Sequence, residues 1–307
     1  MSVLDGMLRA GLPLIPRRVL WTVAQRYVAG DRLEDALAVL DALRAQGFGT
    51  ILDLLGENVS EAAQARAAAE EYRRALAALH DRDPVCEVSV KPTHLGLLVD
   101  RALCERQLAE LCLAAAAHPR RVRLEMEEAS TVDATLGVVR ALRPRHGNLG
   151  CVLQARLFRT EADARALLAD GKGLDVRLVK GIYLEPPSIA WTEDADIVRS
   201  YVKLAWLLLD GGAFVRLATH DGRMTRELLA GLAARGLDQG PPAQRRYEFQ
   251  CLMGVRRDFA EELRAAGHPV RIYVPYGRDW HAYSLRRLQH NPQIARHVLR
   301  AVLHREA

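Results

Sequence analysis

From residue 49 onward, short runs in which apolar and polar positions alternate are separated by Ala- and Leu-rich stretches whose apolar positions recur every three or four residues. The first period belongs to a strand with two unlike faces, the second to a helix with one apolar stripe. The alternating runs are Gly49–Leu54, Val85–Lys91, Arg121–Met126, Leu149–Gln154, Asp175–Lys180, Ala213–Thr219, Arg246–Gln250 and Val270–Val274, with starts about 24 to 38 residues apart. Eight strands alternating with helices over about 230 residues predict a (β/α)8 barrel of the TIM type. A doubly wound open sheet is the alternative, weakened by the lack of a GxGxxG after the first run. Residues 1 to about 46 read as helices, with Leu33, Leu37, Leu40 and Leu43 at helical spacing. The expected organisation is an N-terminal helical segment over residues 1–46 and one barrel domain over residues 47–307, with a C-terminal helix over the barrel mouth.

Side-chain hydroxyls and carboxylates predict where helices start. Ser60, the pair Ser130 and Asp133, the pair Thr160 and Asp163, and Asp279 all stand at positions suited to capping. Asn291-Pro292 predicts a stop, followed by a last helix from Gln293 to about His304.

Assigning faces by alternation puts Cys86, Val88, Val90, Val122, Leu124, Cys151, Leu153, Val176, Leu178, Tyr247 and Phe249 outward, against helices. The inward set is then Glu87, Ser89, Lys91, Arg123, Glu125, Gln154, Arg177, Glu248, Gln250, Arg271 and Tyr273. Most barrels fill their axis with Val, Ile and Leu, whereas this one would be charged. Buried unpaired charges cost several kcal/mol each, about enough to forbid the arrangement unless the groups pair with one another or with a bound polar ligand. A self-contained Arg/Glu network is expected deep in the barrel. The groups at the carboxyl ends (Lys91, Glu125, Gln154, Arg177, Lys180, Thr219-His220-Asp221, Gln250, Tyr273) lie where barrel enzymes keep their sites.

Composition narrows the classes. The chain has 307 residues, 50% hydrophobic, and no apolar run long enough for a membrane span. The first residues place their Arg pair after the apolar stretch, the wrong order for a secretory signal. Five cysteines without a CxxC argue for a reducing compartment and against a zinc site, so a cytoplasmic location is expected. The net charge of +5 comes from Arg spread along the whole chain, which disfavours a nucleic-acid partner. Lysine is confined to Lys91, Lys172, Lys180 and Lys203.

The segment from Val270 to Arg287 reads as a strand, a tight Pro275-Tyr276-Gly277 turn and a helix opened by Asp279. Tyr283, Arg286, Arg287 and His290 share one face of that helix. Two guanidiniums beside a Tyr form a receiver for a carboxylate, because the planar fork matches its two oxygens. A solvated basic helix is the plain alternative.

The motifs ILDLLGE (51–57), VSVKPTHLG (88–96), VRLEMEE (122–128), VLQARLFRT (152–160), RLVKGIYLEP (177–186), ATHD (218–221), YEFQCLMGVR (247–256) and YVPYGRDWHAYSLRRL (273–288) together resemble the proline dehydrogenase family. The similarity covers both the monofunctional bacterial form and the barrel of bifunctional proline utilisation A proteins, nearly end to end. It implies an FAD-dependent oxidation of L-proline to pyrroline-5-carboxylate, the first step of proline catabolism, by hydride transfer to flavin N5, with electrons passed to a quinone. By position, Arg286 and Arg287 would bind the proline carboxylate with Lys91 beside them, Tyr273 and Tyr283 would pack on the ring, and Glu57 would pair with Arg286 as a gate. Arg177 would face flavin N5. Met126, Gln154, Lys180, Gly181, Ile182, Thr219, His220 and Gln250 would hold the cofactor. Glu125 would serve as a catalytic group, with the general base left open between it and solvent. The family usually has Asp at the position of Glu125 and Ala at that of Ile182. Electron delivery to a quinone suggests peripheral membrane contact through Arg296, Arg300, His304 and Arg305, a solvated helix end being the alternative.

Two other classes stay open on the residues alone. Lys91 or Lys180 at a strand tip suits a Schiff-base aldolase. A non-catalytic binding protein leaves the converging charges without a purpose.

Overall fold

The eight alternating runs close into one parallel barrel in sequence order, β1 pairing with β8. The computed structural model describes residues 17–290 apart from 81 and 84, with only the backbone described at 18, 19, 23 and 286–290. The strands are β1 (Gly49–Leu54), β2 (Glu87–Val90), β3 (Val122–Leu124), β4 (Leu149–Gln154), β5 (Asp175–Val179), β6 (Phe214–Ala218), β7 (Tyr247–Leu252) and β8 (Val270–Tyr276). Among the described residues two helices precede them, α1 (Arg17–Ala24) and α2 (Leu33–Ala45). The crossovers carry α3 (Ala62–Ala78), α4 (Arg101–Ala115), α5 (Val132–Leu142), α6 (Thr160–Ala169), α7 (Asp194–Asp210), α8 (Gly222–Ala234) and α9 (Arg257–Ala265), and α10 (Trp280–His290) follows β8. The predicted last helix, with Arg296, Arg300, His304 and Arg305, lies outside the described residues.

All eleven residues assigned outward are buried and join one continuous apolar core with the helices. That packing is what fixes the strand register, since a slip by one residue would turn the charged face into the helix layer. The five cysteines belong to the same layer, free and buried. Burial pushes each of their thiols up to about 12, so they act as small apolar side chains.

The inner face accommodates its arginines by using glycine. A Cβ on Gly150 would stand 2.5 Å from the Arg123 guanidinium, and one on Gly49 would stand 3.2 Å from that of Arg271. Gly150→Ala is therefore expected to destabilise the fold by about 1–3 kcal/mol through overpacking. A denaturant titration checks this, and an unchanged midpoint would contradict it.

Several local expectations are corrected. Pro275 and Tyr276 are not a turn: β8 runs through them, paired with Asp53 and Leu54 of β1. Proline is tolerated because it only has to accept there, its carbonyl taking the Ala29 N–H at 2.8 Å. The chain bends instead at Gly277, whose φ of +130° favours glycine. Ser60 does not cap α3. Glu61 stands at that position, with the Gln64 side chain reaching back to the amides of Ser60 and Glu61. Ser130 lies in a short 3₁₀ turn before α5. Thr160 spends its hydroxyl on the Gln154 carbonyl at 2.6 Å.

Candidate active site

Six charged side chains fill the lower barrel. Arg123 holds Glu87 through Nε at 2.7 Å and also grips Asp175. Arg216 holds both oxygens of Asp175 at 2.8 Å and pairs with Glu248, which Arg271 meets at 3.0 Å. Burial acts to raise the Glu87 and Asp175 carboxyls, but the guanidiniums of Arg123 and Arg216 outweigh it and hold both well below the usual range. These groups saturate one another and form the floor of the site.

Above them the sequence-predicted residues converge. Arg177 is buried and donates through Nε to Gln250 Oε1 at 2.6 Å, to Ser89 Oγ at 3.1 Å, and to Glu87 and Glu125. Tyr273 donates its phenol to Glu125 at 3.2 Å, while the Arg177 guanidinium lies 5.2 Å from the Tyr273 ring centre. Burial pushes the Tyr273 phenol far up, helped by Asp53 and Glu125, so it remains a donor. Tyr283 of α10 also acts on Tyr273, which brings the first turns of that helix to the mouth. Among the described residues, Arg177, Glu125, Gln250 and Tyr273 are thus one hydrogen-bonded cluster spanning the end of β3 and strands β5, β7 and β8.

Lys91 pairs with Asp53. Its ammonium lies 2.6 Å from Asp53 Oδ1 and 3.5 Å from the Leu54 carbonyl. Burial acts to lower the ammonium, but Asp53 overrides it and holds the pKa up. Asp53 itself is pushed up by burial, against the pull of Lys91 and Tyr273, and Lys91 reaches only its Oδ1.

A second group forms along β4–β6. Lys180 bridges Asp194 and Asp221, each at 2.8 Å. Asp221 also caps α8, and its amide donates to Thr219 Oγ1 at 3.0 Å. His220 accepts the Leu252 amide on Nε2 at 2.9 Å, which ties β6 to β7. Gln154 donates to the Glu127 carbonyl at 2.8 Å, and a Cβ at Gly181 (φ +101°) would stand 2.9 Å from its Oε1. Met126 is buried in the core layer and Ile182 is 62% exposed. A hollow of about 380 Å³ opens beside Lys180, lined by Asp194, Ala195, Val198, Asp221 and Arg223.

Glu57 lies half-buried on the loop after β1. Arg286 and Arg287 fall within α10, and their side chains lie outside the described residues. Sequence reasoning missed Asp53, Asp175 and Arg216. All three were legible, since alternation along β1, β5 and β6 points them inward like Arg177.

The family model described as proline dehydrogenase matches residues 36–300. The chain belongs to the proline dehydrogenase family. It is 33% identical over 307 residues to the proline dehydrogenase of Deinococcus radiodurans, covering 98% of this chain and 97% of that one. It is also 33% identical to proline dehydrogenase 1 of Bacillus subtilis, over 91% of this chain and 90% of the relative. A solved proline utilization A from Bdellovibrio bacteriovorus, inactivated by N-propargylglycine, superposes with a TM-score of 0.78 at 23% identity, covering 87% of this chain. This chain spans 32% of that longer protein, and the likeness there is one of fold. The chain is thus an oxidoreductase of the proline dehydrogenase family on the closed barrel that alternation predicted. Among the described residues no helix is long and apolar enough to cross a membrane.

Proposed function

We propose that this chain oxidises L-proline to pyrroline-5-carboxylate with FAD and passes the electrons to a quinone. The observation that carries the reading is the cluster of Arg177, Glu125, Gln250 and Tyr273 beside the Lys91–Asp53 pair at the strand tips of a family barrel. A planar, hydrogen-bonding cofactor suits this mouth. Gly181 leaves open the space a side chain would take above Gln154, and Arg177 presents a buried guanidinium beside it on β5. Lys180, Thr219 and Arg223, beside the hollow at the start of α8, would hold the nucleotide end. Asp194 is 76% exposed in its pair with Lys180, so a phosphate could replace it at little cost. When bound, FAD supplies the two-electron acceptor for the hydride.

The protein's part is orientation and charge. Arg286 and Arg287 would fix the substrate carboxylate as a fork, and Tyr273 with Tyr283 would flank its ring. Holding one reactive geometry is worth several kcal/mol, about 7–11 in favourable intramolecular cases. Lys91 cannot be a free nucleophile while Asp53 keeps it charged, and Lys180 is likewise held protonated by Asp194 and Asp221 against burial. A Schiff-base reaction needs a neutral amine, so the aldolase reading loses both its lysines. Lys91 instead adds positive potential near the amine of proline, which favours its neutral form. Residues 47–307 would act as one catalytic unit in the cytoplasm. Contact with the membrane surface would fall to the basic residues after 290.

The purified protein should show a flavin spectrum that bleaches anaerobically with L-proline, and a colourless preparation that FAD does not reconstitute would end the reading. Arg287→Met is expected to raise KM for proline well over tenfold while the protein stays yellow, because a buried charge-assisted pair contributes about 2–5 kcal/mol. Unchanged steady-state kinetics would remove the carboxylate role.

A further inference from the structure

Glu127 is a buried carboxylate that the reaction does not use. It is 1% exposed and lies just past β3. Both its oxygens are spent on one residue: Oε2 accepts the Thr93 amide at 2.9 Å and Oε1 accepts the Thr93 hydroxyl at 2.7 Å. Thr93 is itself fully buried. It passes the hold on, since its Oγ1 accepts the Asn58 amide at 2.9 Å and its carbonyl accepts the Val59 amide at 3.3 Å. The neighbouring His94 ring presses on the same loop, where a Cβ at Gly56 would stand 2.3 Å from it. The segment after β2 therefore grips the loop after β1 at Gly56, Asn58 and Val59, on both sides of Glu57. The grip opposes a loop with its own strain, because Asn58 sits in the left-handed region at φ +54°.

We propose that Glu127, acting through Thr93, is a positioning residue that sets the loop carrying Glu57 over the barrel mouth and so governs substrate capture. The functional half rests on Glu57 being a capture group, as the family resemblance implies.

The relay is sensitive to protons. Burial pushes the Glu127 carboxyl up to about 7, opposed by its two bonds from Thr93 and by Lys91, and assisted by Glu57. The titratable groups acting on it are Lys91 at the end of β2, Glu57 on the gripped loop and Cys104 on α4. Ionised, it accepts two charge-assisted bonds. Protonated, one oxygen becomes a donor, the Thr93 hydroxyl loses its acceptor, and both contacts fall to neutral strength, roughly half. The grip therefore tightens as pH rises through about 7. Global stability runs the other way, since a carboxyl raised in the fold contributes most at low pH and loses that contribution as pH rises through the folded value.

The test uses the flavin-loaded enzyme, with amide hydrogen exchange and proline kinetics measured side by side. Thr93→Val should speed exchange at Asn58 and Val59 and raise KM about fivefold with kcat within twofold, a size expected for a lost buried hydrogen bond. Thr93→Ser should restore both. Glu127→Gln fixes the neutral form. Its KM should exceed that of the parent at pH 8 and match it near pH 6, a comparison at each pH that cancels the ionisation of proline itself. Exchange at Asn58 and Val59 unmoved by Thr93→Val, or a Glu127→Gln to parent KM ratio that is flat with pH, overturns the proposal. Glu57→Ala separates the two layers. If it raises KM while Thr93→Val changes neither exchange nor KM, the positioning role is wrong and the capture role stands. If it leaves KM unchanged, the capture role is wrong and with it the functional half of the proposal.

Discussion

Arg123→Leu is expected to cost about 3–5 kcal/mol of unfolding free energy, the largest stability loss of any single change considered for this barrel. Arg123 is fully buried, and no water can replace what it gives to Glu87 and Asp175. Leucine keeps the bulk of the stem but leaves two carboxylates facing an apolar group. The gap should depend on pH. In the parent, Glu87 and Asp175 are held below their ordinary values, so their contribution is present above roughly pH 4–5 and is lost as pH falls through the folded values. Without Arg123 that contribution shrinks, and burial makes ionisation a penalty. Denaturant unfolding should show a gap that widens from pH 4 to pH 8. A gap under about 1 kcal/mol, or one independent of pH, would mean that Arg216 and Arg177 alone neutralise the floor.

The network shows why an apolar axis is dispensable here. Glu87, Asp175, Glu248 and Glu125 are matched in number by Arg123, Arg216, Arg271 and Arg177, so the interior is neutral, and glycine at 49 and 150 makes room for two guanidiniums. Such networks do not outperform a well-packed apolar core in stability. Their value lies in fixing the upper layer. Arg177 reaches down to Glu87 as well as up to Glu125, so the floor orients a cation of the mouth.

Alternation carried the barrel because it reports burial on two faces, and burial is what the fold imposes on every strand. It failed where a single backbone bond decides. Strand β8 continues through Pro275 because Ala29, more than two hundred residues away in sequence, needs the proline carbonyl. The cap at Ser60 failed because a Gln side chain outcompeted the hydroxyl. The family resemblance put Lys91 beside the substrate but gave no sign of what holds it. Its partner Asp53 lies on the neighbouring strand, and only the β1–β2 register, which aligns Asp53 with Ser89, brings the two tips together. The Thr93–Glu127 relay had no signal in the sequence, because it joins two loops whose approach is set by barrel closure. Glu125 was identified as a departure from the usual Asp, and in the structure it reaches Arg177 and Tyr273 while Lys91 pairs elsewhere.

Arg177→Lys is expected to lower kcat/KM by about 100-fold or more while leaving most of the flavin bound, an effect in the range of removing one preorganised donor from a water-excluded site. The substitution keeps the charge and tests geometry alone. Arginine meets Gln250, Ser89, Glu87 and Glu125 from one rigid plane, and the same plane lies against the Tyr273 ring. An ammonium has three donors on a flexible stem and no face to stack, so at least one of those partners is released. Release of Glu125 also frees the Tyr273 phenol it accepts from, and release of Gln250 lets its amide turn away from Glu248. Either change loosens the surface on which proline and the cofactor would meet, without leaving a buried carboxylate unpaired. The melting temperature should therefore fall by only a few degrees, less than for Arg177→Met, which takes the guanidinium away from Glu125 and leaves Glu87 to Arg123 and Arg216. Steady-state kinetics, flavin content and a thermal melt on the two variants check this. A lysine variant within threefold of the parent in kcat/KM would show that charge suffices, and the planar hold of Arg177 on four neighbours would then be a feature of the fold with no share in the chemistry.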